Sequence, residues 1–305
     1  MKESTRGWLI SMLLTCSWSA AWCGQAVHRT EDVIYGRKFG TALTMDVFQP
    51  TNANACGIIF LVNGGWLSSK DTPNMVTIQP DYYQSFLKRG YTVFAVVTGS
   101  QPKFTITEII EDVNRAVRFV RHNSGKFGIR PDGLGITGSS SGGHLSLMIA
   151  AQGRAGIKDS PDPIDRESSA VQAVACFFPP TDFLNWGGLG IDAVGLGTMA
   201  SMQPAFGPRA ATPAGRQELG WEISPIYHLS SNLPPTLIIH GDADPGVPIQ
   251  QSESFVERAR AAGAAHVELI VRPGKGHGWG EFWKCREDIT AFADWFDRYL
   301  QNRRD

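Results

Sequence analysis

From residue 57 onward the chain alternates unbroken apolar runs with amphipathic segments, and this alternation limits the fold more than any other feature. GIIFLV (57–62), YTVFAVV (91–97), LGIT (134–137), VQAVACFF (171–178), TLIIH (236–240) and VELIV (267–271) read as strands buried on both faces. Between them, Tyr82, Tyr83, Phe86 and Leu87 mark one amphipathic segment. Ile106, Ile109, Ile110, Val113, Val117 and Val120 recur at helical spacing, which predicts a helix over 105–123. Helical patterns follow at 250–262 and 282–300. Buried strands alternating with such helices imply a mostly parallel central sheet covered by helices on both faces. Two short strands between Val33 and Phe48, separated by Gly36 and Gly40, are expected as an antiparallel lead-in.

Residues 182–232 break the pattern. They are rich in Gly, Pro, Ala and Met without periodicity, and a structureless loop of that length is unusual unless functional or locally helical. The segment is read as a small cap inserted over the carboxyl ends of the strands, where such sheets bind ligands. Trp186 and Trp221 within it belong either to its own core or to a surface that stacks on substrate.

Residues 1–26 differ from the rest. Lys2 and Arg6 precede an apolar run from Trp8 to about Leu14, then small residues, the layout of a secretory signal with cleavage after Ala26 or near Cys23. The run is too short to span a bilayer, and bulky Trp22 disfavours acylation at Cys23. The expected organisation is therefore a signal peptide, 1–26, and one domain, 27–305, in a secreted or periplasmic protein. Removing the leader reduces five cysteines to Cys56, Cys176 and Cys285, an odd set that is neither a disulfide framework nor a metal site. Each is expected as a small buried hydrophobe. With a net charge of -1 and basic residues balanced by acids, no nucleic-acid footprint is present.

The run GITGSSSGGH (135–144) lies between a strand and a helix and holds three serines. A nucleophile on a strained strand-to-helix turn needs small residues two before and two after it. Gly138 and Gly142 satisfy that frame for Ser140 alone. A serine hydroxyl needs a base within hydrogen-bond reach, itself oriented by a carboxylate. Of seven histidines, His28, His122 and His266 are expected to be solvated or structural, His144 to point into packing, His240 to close a strand, and His228 has no motif around it. His277, in the glycine-rich loop GKGHGWG after VELIVRP, is placed to reach over the serine. In HGDADPGVP, Asp244 is assigned as the acid and Asp242 as a brace for the turn. Chain order is then Ser140, Asp244, His277, the order of the α/β-hydrolase arrangement. Oxyanion donors are expected from the Ser141 N–H and from NGGW (63–66), with Gly64 and Gly65 preferred and Trp66 a further candidate.

These residues carry a resemblance. NGGW, FGIRPDGLGITGSSSGGH, SPIYHLSSNLPPTLIIHGDADPGVPIQQSE and GKGHGWG resemble the α/β-hydrolase superfamily, in its secreted esterase and lipase group with feruloyl-esterase-like and acetyl-esterase-like enzymes; prolyl-oligopeptidase-like peptidases are more distant. The likeness runs from about Val33 to Leu300. It implies an α/β-hydrolase fold, a Ser140–His277–Asp244 triad, a small ester substrate and no metal or organic cofactor. One departure stands out: members often carry a histidine before the paired glycines, where this chain has Asn63. The alternatives are an exopeptidase or acylamino-peptidase, which shares the HGDAD and GHG motifs, and an inactive hydrolase fold used for binding.

Overall fold

The computed structural model describes residues 27–69, 80–280 and 282–301. The expected leader, 1–26, lies outside the described residues. Eight strands form one sheet: β1 (Val27–Lys38), β2 (Thr41–Pro50), β3 (Gly57–Leu61), β4 (Thr92–Val97), β5 (Leu134–Ser139), β6 (Ala173–Phe177), β7 (Thr236–Gly241) and β8 (Val267–Arg272), in the order β1-β2-β4-β3-β5-β6-β7-β8. β1 pairs antiparallel with β2 and β2 antiparallel with β4, while every later pairing is parallel. The chain therefore has the α/β-hydrolase fold, a mostly parallel sheet with helices on both faces.

The lead-in hairpin is longer than expected. Its turn is Phe39–Gly40, both with positive φ, and Gly36 lies inside β1 at a register shift rather than between the strands.

Successive residues of β3 face opposite sides, as strand periodicity requires. Ile59 and Leu61 pack into one core with helix α2 (Ile106–His122) and helix α3 (Ser141–Gln152), through Ile109, Val113, Val117 and Leu145. Ile58 and Phe60 face the other core, with Tyr82 and Phe86 of helix α1 (Pro80–Lys88) and Phe292 and Phe296 of the C-terminal region. Two apolar faces on one set of strands is the physical reason the runs are continuous in sequence.

The segment 182–232 is not structureless. It folds as 3₁₀ turns at Gly197–Met202, Pro208–Ala211 and Pro225–His228 and as helices α4 (Gln203–Phe206) and α5 (Pro213–Ile223). Proline begins α5 and Thr212 caps it by accepting the Gly215 N–H, so local chemistry rather than apolar periodicity defines these pieces. Helix α6 (Gln250–Ala261) matches expectation. The pattern at 282–300 divides into a 3₁₀ turn at Phe282–Lys284, helix α7 (Arg286–Phe296) and a wider π turn to Gln301. Cys56 and Cys176 are buried, but Cys285, at the position just before the first turn of α7, is only partly so.

Candidate active site

Ser140 stands between β5 and α3 with φ 53° and ψ −119°, a backbone that a serine adopts only under strain. Its N–H donates to Phe177 O of β6 at 3.0 Å, and its carbonyl accepts the His144 N–H at 2.9 Å, so both neighbouring elements hold the turn. A Cβ on Gly138 would lie 2.6 Å from the Gly142 carbonyl carbon. The small-residue frame read from sequence thus has a specific steric cause at Gly138.

His277 comes from the loop after β8. That loop is tied to the one after β7 by Ala243 N–H to Lys275 O at 3.0 Å and Gly274 N–H to Asp242 Oδ1 at 2.6 Å. Asp242 therefore braces the turn. His277 Nε2 lies 3.0 Å from Ser140 Oγ, and its Nδ1 lies 2.7 Å from Asp244 Oδ2. An ionised carboxylate only accepts, so Nδ1 carries the proton and Nε2 presents its lone pair to the serine hydroxyl. The Asp244 side chain is inaccessible. Burial pushes its carboxyl upward, but hydrogen bonds from His240, His277 and the Val247 N–H outweigh this and hold it well below the usual carboxylate range.

Gly64 departs from expectation. Its N–H donates to Leu67 O at 2.9 Å and its carbonyl accepts the Leu67 N–H at 3.0 Å, a two-way bridge that withdraws it from the site. A cavity of about 120 Å³ beside Ser140 is lined instead by Gly65, Trp66, Ser141, Thr198, Met199, Met202, Val247 and His277, with Pro180 and Gly246. Gly65 and Trp66 have φ of 60° and 57°, and their carbonyls are engaged by Gln101, at 2.8 and 3.1 Å. The N–H groups of Gly65, Trp66 and Ser141 have no acceptor among the described residues.

Several supporting contacts were not read from the sequence. Asn63, where a histidine was noted as usual, is buried and links two elements: its Oδ1 accepts Ser141 Oγ–H at 2.6 Å and its Nδ2 donates to Thr98 Oγ1 at 3.1 Å. His144 is in packing, as expected, and its Nδ1 accepts the Trp66 indole N–H at 3.3 Å while Nε2 faces Ile223 O at 2.7 Å. The Phe178 ring stands edge-on to His277, centroids 4.7 Å apart. Trp186 is buried and stacked on Phe183, whereas Trp221 is half exposed beside His228. Among the described residues no cluster of three or more His, Cys, Asp or Glu side chains is arranged to hold a metal, and no helix is long and apolar enough to cross a membrane.

This arrangement defines a member of the α/β-hydrolase class. The BD-FAE family model matches residues 45–259, and the chain belongs to that family. It is 26% identical over 86% of its length to "Probable carboxylic ester hydrolase LipM" and 26% identical over 87% to "Esterase LipQ", both of Mycobacterium tuberculosis. The chain spans only 59% and 61% of those two proteins. Among solved structures it is similar to a carbohydrate esterase from gut microbiota, with a TM-score of 0.74 and 26% identity, covering 90% of this chain and 96% of that one. The fold of Thermogutta terrifontis esterase 2 is also shared, at a TM-score of 0.67 and 23% identity over 93% of this chain and 96% of the other.

Proposed function

We propose that the protein is a serine carboxylesterase that hydrolyses esters with a small acyl group through an acyl-enzyme. One observation carries the reading: His277 bridges Ser140 Oγ at 3.0 Å and the buried Asp244 carboxylate at 2.7 Å. As Ser140 Oγ attacks the ester carbonyl, His277 Nε2 takes its proton and Asp244 stabilises the resulting imidazolium. The N–H groups of Ser141 and of Gly65 or Trp66 receive the developing oxyanion, aided by the amino terminus of α3. Collapse expels the alcohol, protonated by His277. The same base then activates water to release the acid.

Cavity size bears on the substrate. A cavity of about 150 Å³ holds one benzene ring, and the space beside Ser140 is about 120 Å³. Acyl groups from acetyl to butyryl are the ones that this space is of a size to hold. The partly exposed His277 ring can return its proton to the departing alcohol, and Met199 and Met202 supply apolar lining for the acyl group.

p-Nitrophenyl acetate turnover tests the reading, with Ser140→Ala expected to abolish it while the thermal transition is retained. A fluorophosphonate should label Ser140; an unlabelled Ser140, or full activity in the alanine variant, would refute the esterase assignment. A series from acetate to octanoate plus methyl ferulate should fall steeply beyond butyrate. Aminoacyl anilides should be poor substrates, which separates this reading from a peptidase.

A further inference from the structure

Near the end of β7 stands a second histidine, His240, to which the chemistry above gives no step. It is fully buried. Its Nδ1 lies 2.7 Å from Ser252 Oγ, and its Nε2 lies 2.9 Å from Val247 O and 3.3 Å from Asp244 Oδ2. Carbonyl and carboxylate oxygens only accept, so Nε2 carries the proton and Nδ1 accepts the Ser252 hydroxyl proton. Both ring nitrogens would be satisfied by Ser252 and Val247 alone, as an ordinary core histidine requires. The further contact is with the same carboxylate oxygen that receives the His277 Nδ1–H.

Resting on the serine-esterase reading, we propose that His240 is a positioning residue that holds the Asp244 carboxylate in the orientation required by His277. The hydrogen bonds close a ring: His240 donates to Val247 O and to Asp244 Oδ2, while Asp244 Oδ1 accepts the Val247 N–H at 2.9 Å and the Gly246 N–H at 2.8 Å. Donors on both oxygens stop the carboxylate from rotating about its last bond. The ring also fixes Gly246 and Val247, which line the cavity beside Ser140. Ser252, on α6, donates to the Nδ1 that this tautomer leaves unprotonated and so holds the ring in place.

The test uses the full chain with p-nitrophenyl acetate and compares His240→Leu, which deletes the donor, with His240→Gln, whose amide restores an N–H near the Nε2 position. His240→Leu is expected to lower kcat roughly ten- to hundredfold, the loss that accompanies one hydrogen bond to a charged group, with KM changed less than about twofold. His240→Gln should recover most of kcat. The downfield proton resonance of the His277 Nδ1–H should shift in the leucine variant and return in the glutamine variant. A leucine variant with unchanged kcat, or a folded glutamine variant no better than leucine, overturns the proposal. Should His240→Leu fail to fold, Ser252→Ala decides: a several-fold fall in kcat at constant KM supports the role, and an unchanged kcat overturns it. Turnover that survives Ser140→Ala would instead refute the esterase reading itself, whereas Ser140-dependent turnover indifferent to His240 removes only this inference.

Discussion

Ser140 occupies a backbone conformation that costs a non-glycine residue on the order of 1–3 kcal/mol, and the turn persists because Gly138 lets the helix start press against the strand. With a Cβ at position 138 only 2.6 Å from the Gly142 carbonyl carbon, Gly138→Ala must move the helix or the strand. It is expected to destabilise the protein by about 1–3 kcal/mol, read from urea unfolding, and to lower kcat by displacing Ser140. His144 sets a pH dependence of stability. Burial lowers it from 6.5 to about 4, against which its hydrogen-bonding contact with Ile223 O is the smaller influence. The unfolded chain therefore binds more protons between those values, and stability present above about pH 6.5 is lost as pH falls toward 4, by about 3 kcal/mol in all. Urea unfolding near pH 7 and near pH 4.5 should show this loss, and His144→Gln should show much less of it. Asp244 acts in a separate window: its depressed carboxyl contributes stability above about pH 4 that is lost only at lower pH.

The 3₁₀ turn Gly197–Met202 brings Thr198, Met199 and Met202 to the cavity. Met202 is the side chain whose removal widens it most directly, since its Sδ and Cε lie 3.6 and 3.5 Å from where a Gly65 Cβ would stand. Met202→Ala is expected to raise kcat/KM for hexanoate relative to acetate roughly tenfold, within the range that a methylene or two is worth in an apolar pocket. A chain-length profile unchanged by the substitution would mean that the acyl group lies elsewhere. The loop at residues 180–185 that approaches this site is pinned by α6: Gln251 Oε1 accepts the N–H groups of Thr181 and Asp182 at 2.8 and 2.7 Å. Gln251→Ala is therefore expected to loosen the pocket wall and raise KM more than it lowers kcat, measured with the same acetate ester.

For the molecule as a whole, the leader pattern leads us to propose export. Expression of the full chain followed by fractionation and N-terminal sequencing should recover a mature form beginning near Val27; an unprocessed cytosolic chain would overturn that. Much of the architecture was legible because it depends on periodicity. Continuous apolar runs such as GIIFLV are apolar at every position only when both faces are covered, and the Ile106 to Val120 series predicts its helix to within a residue. The positions of Ser140, Asp244 and His277 were legible through turn chemistry, since glycine and aspartate leave local signatures. Other features had none. The Gly64 N–H was lost to a bridge with Leu67, residues 182–232 take their helices from proline and threonine caps, and His240 reads as an ordinary strand residue until Asp244 folds beside it. Local order along the chain thus determined the strands, the main helices and the candidate nucleophile, acid and base. The donors left free for an oxyanion, the size of the cavity and the partner of His240 were decided only by tertiary packing, because each depends on which groups from distant segments take up one another's hydrogen bonds and space.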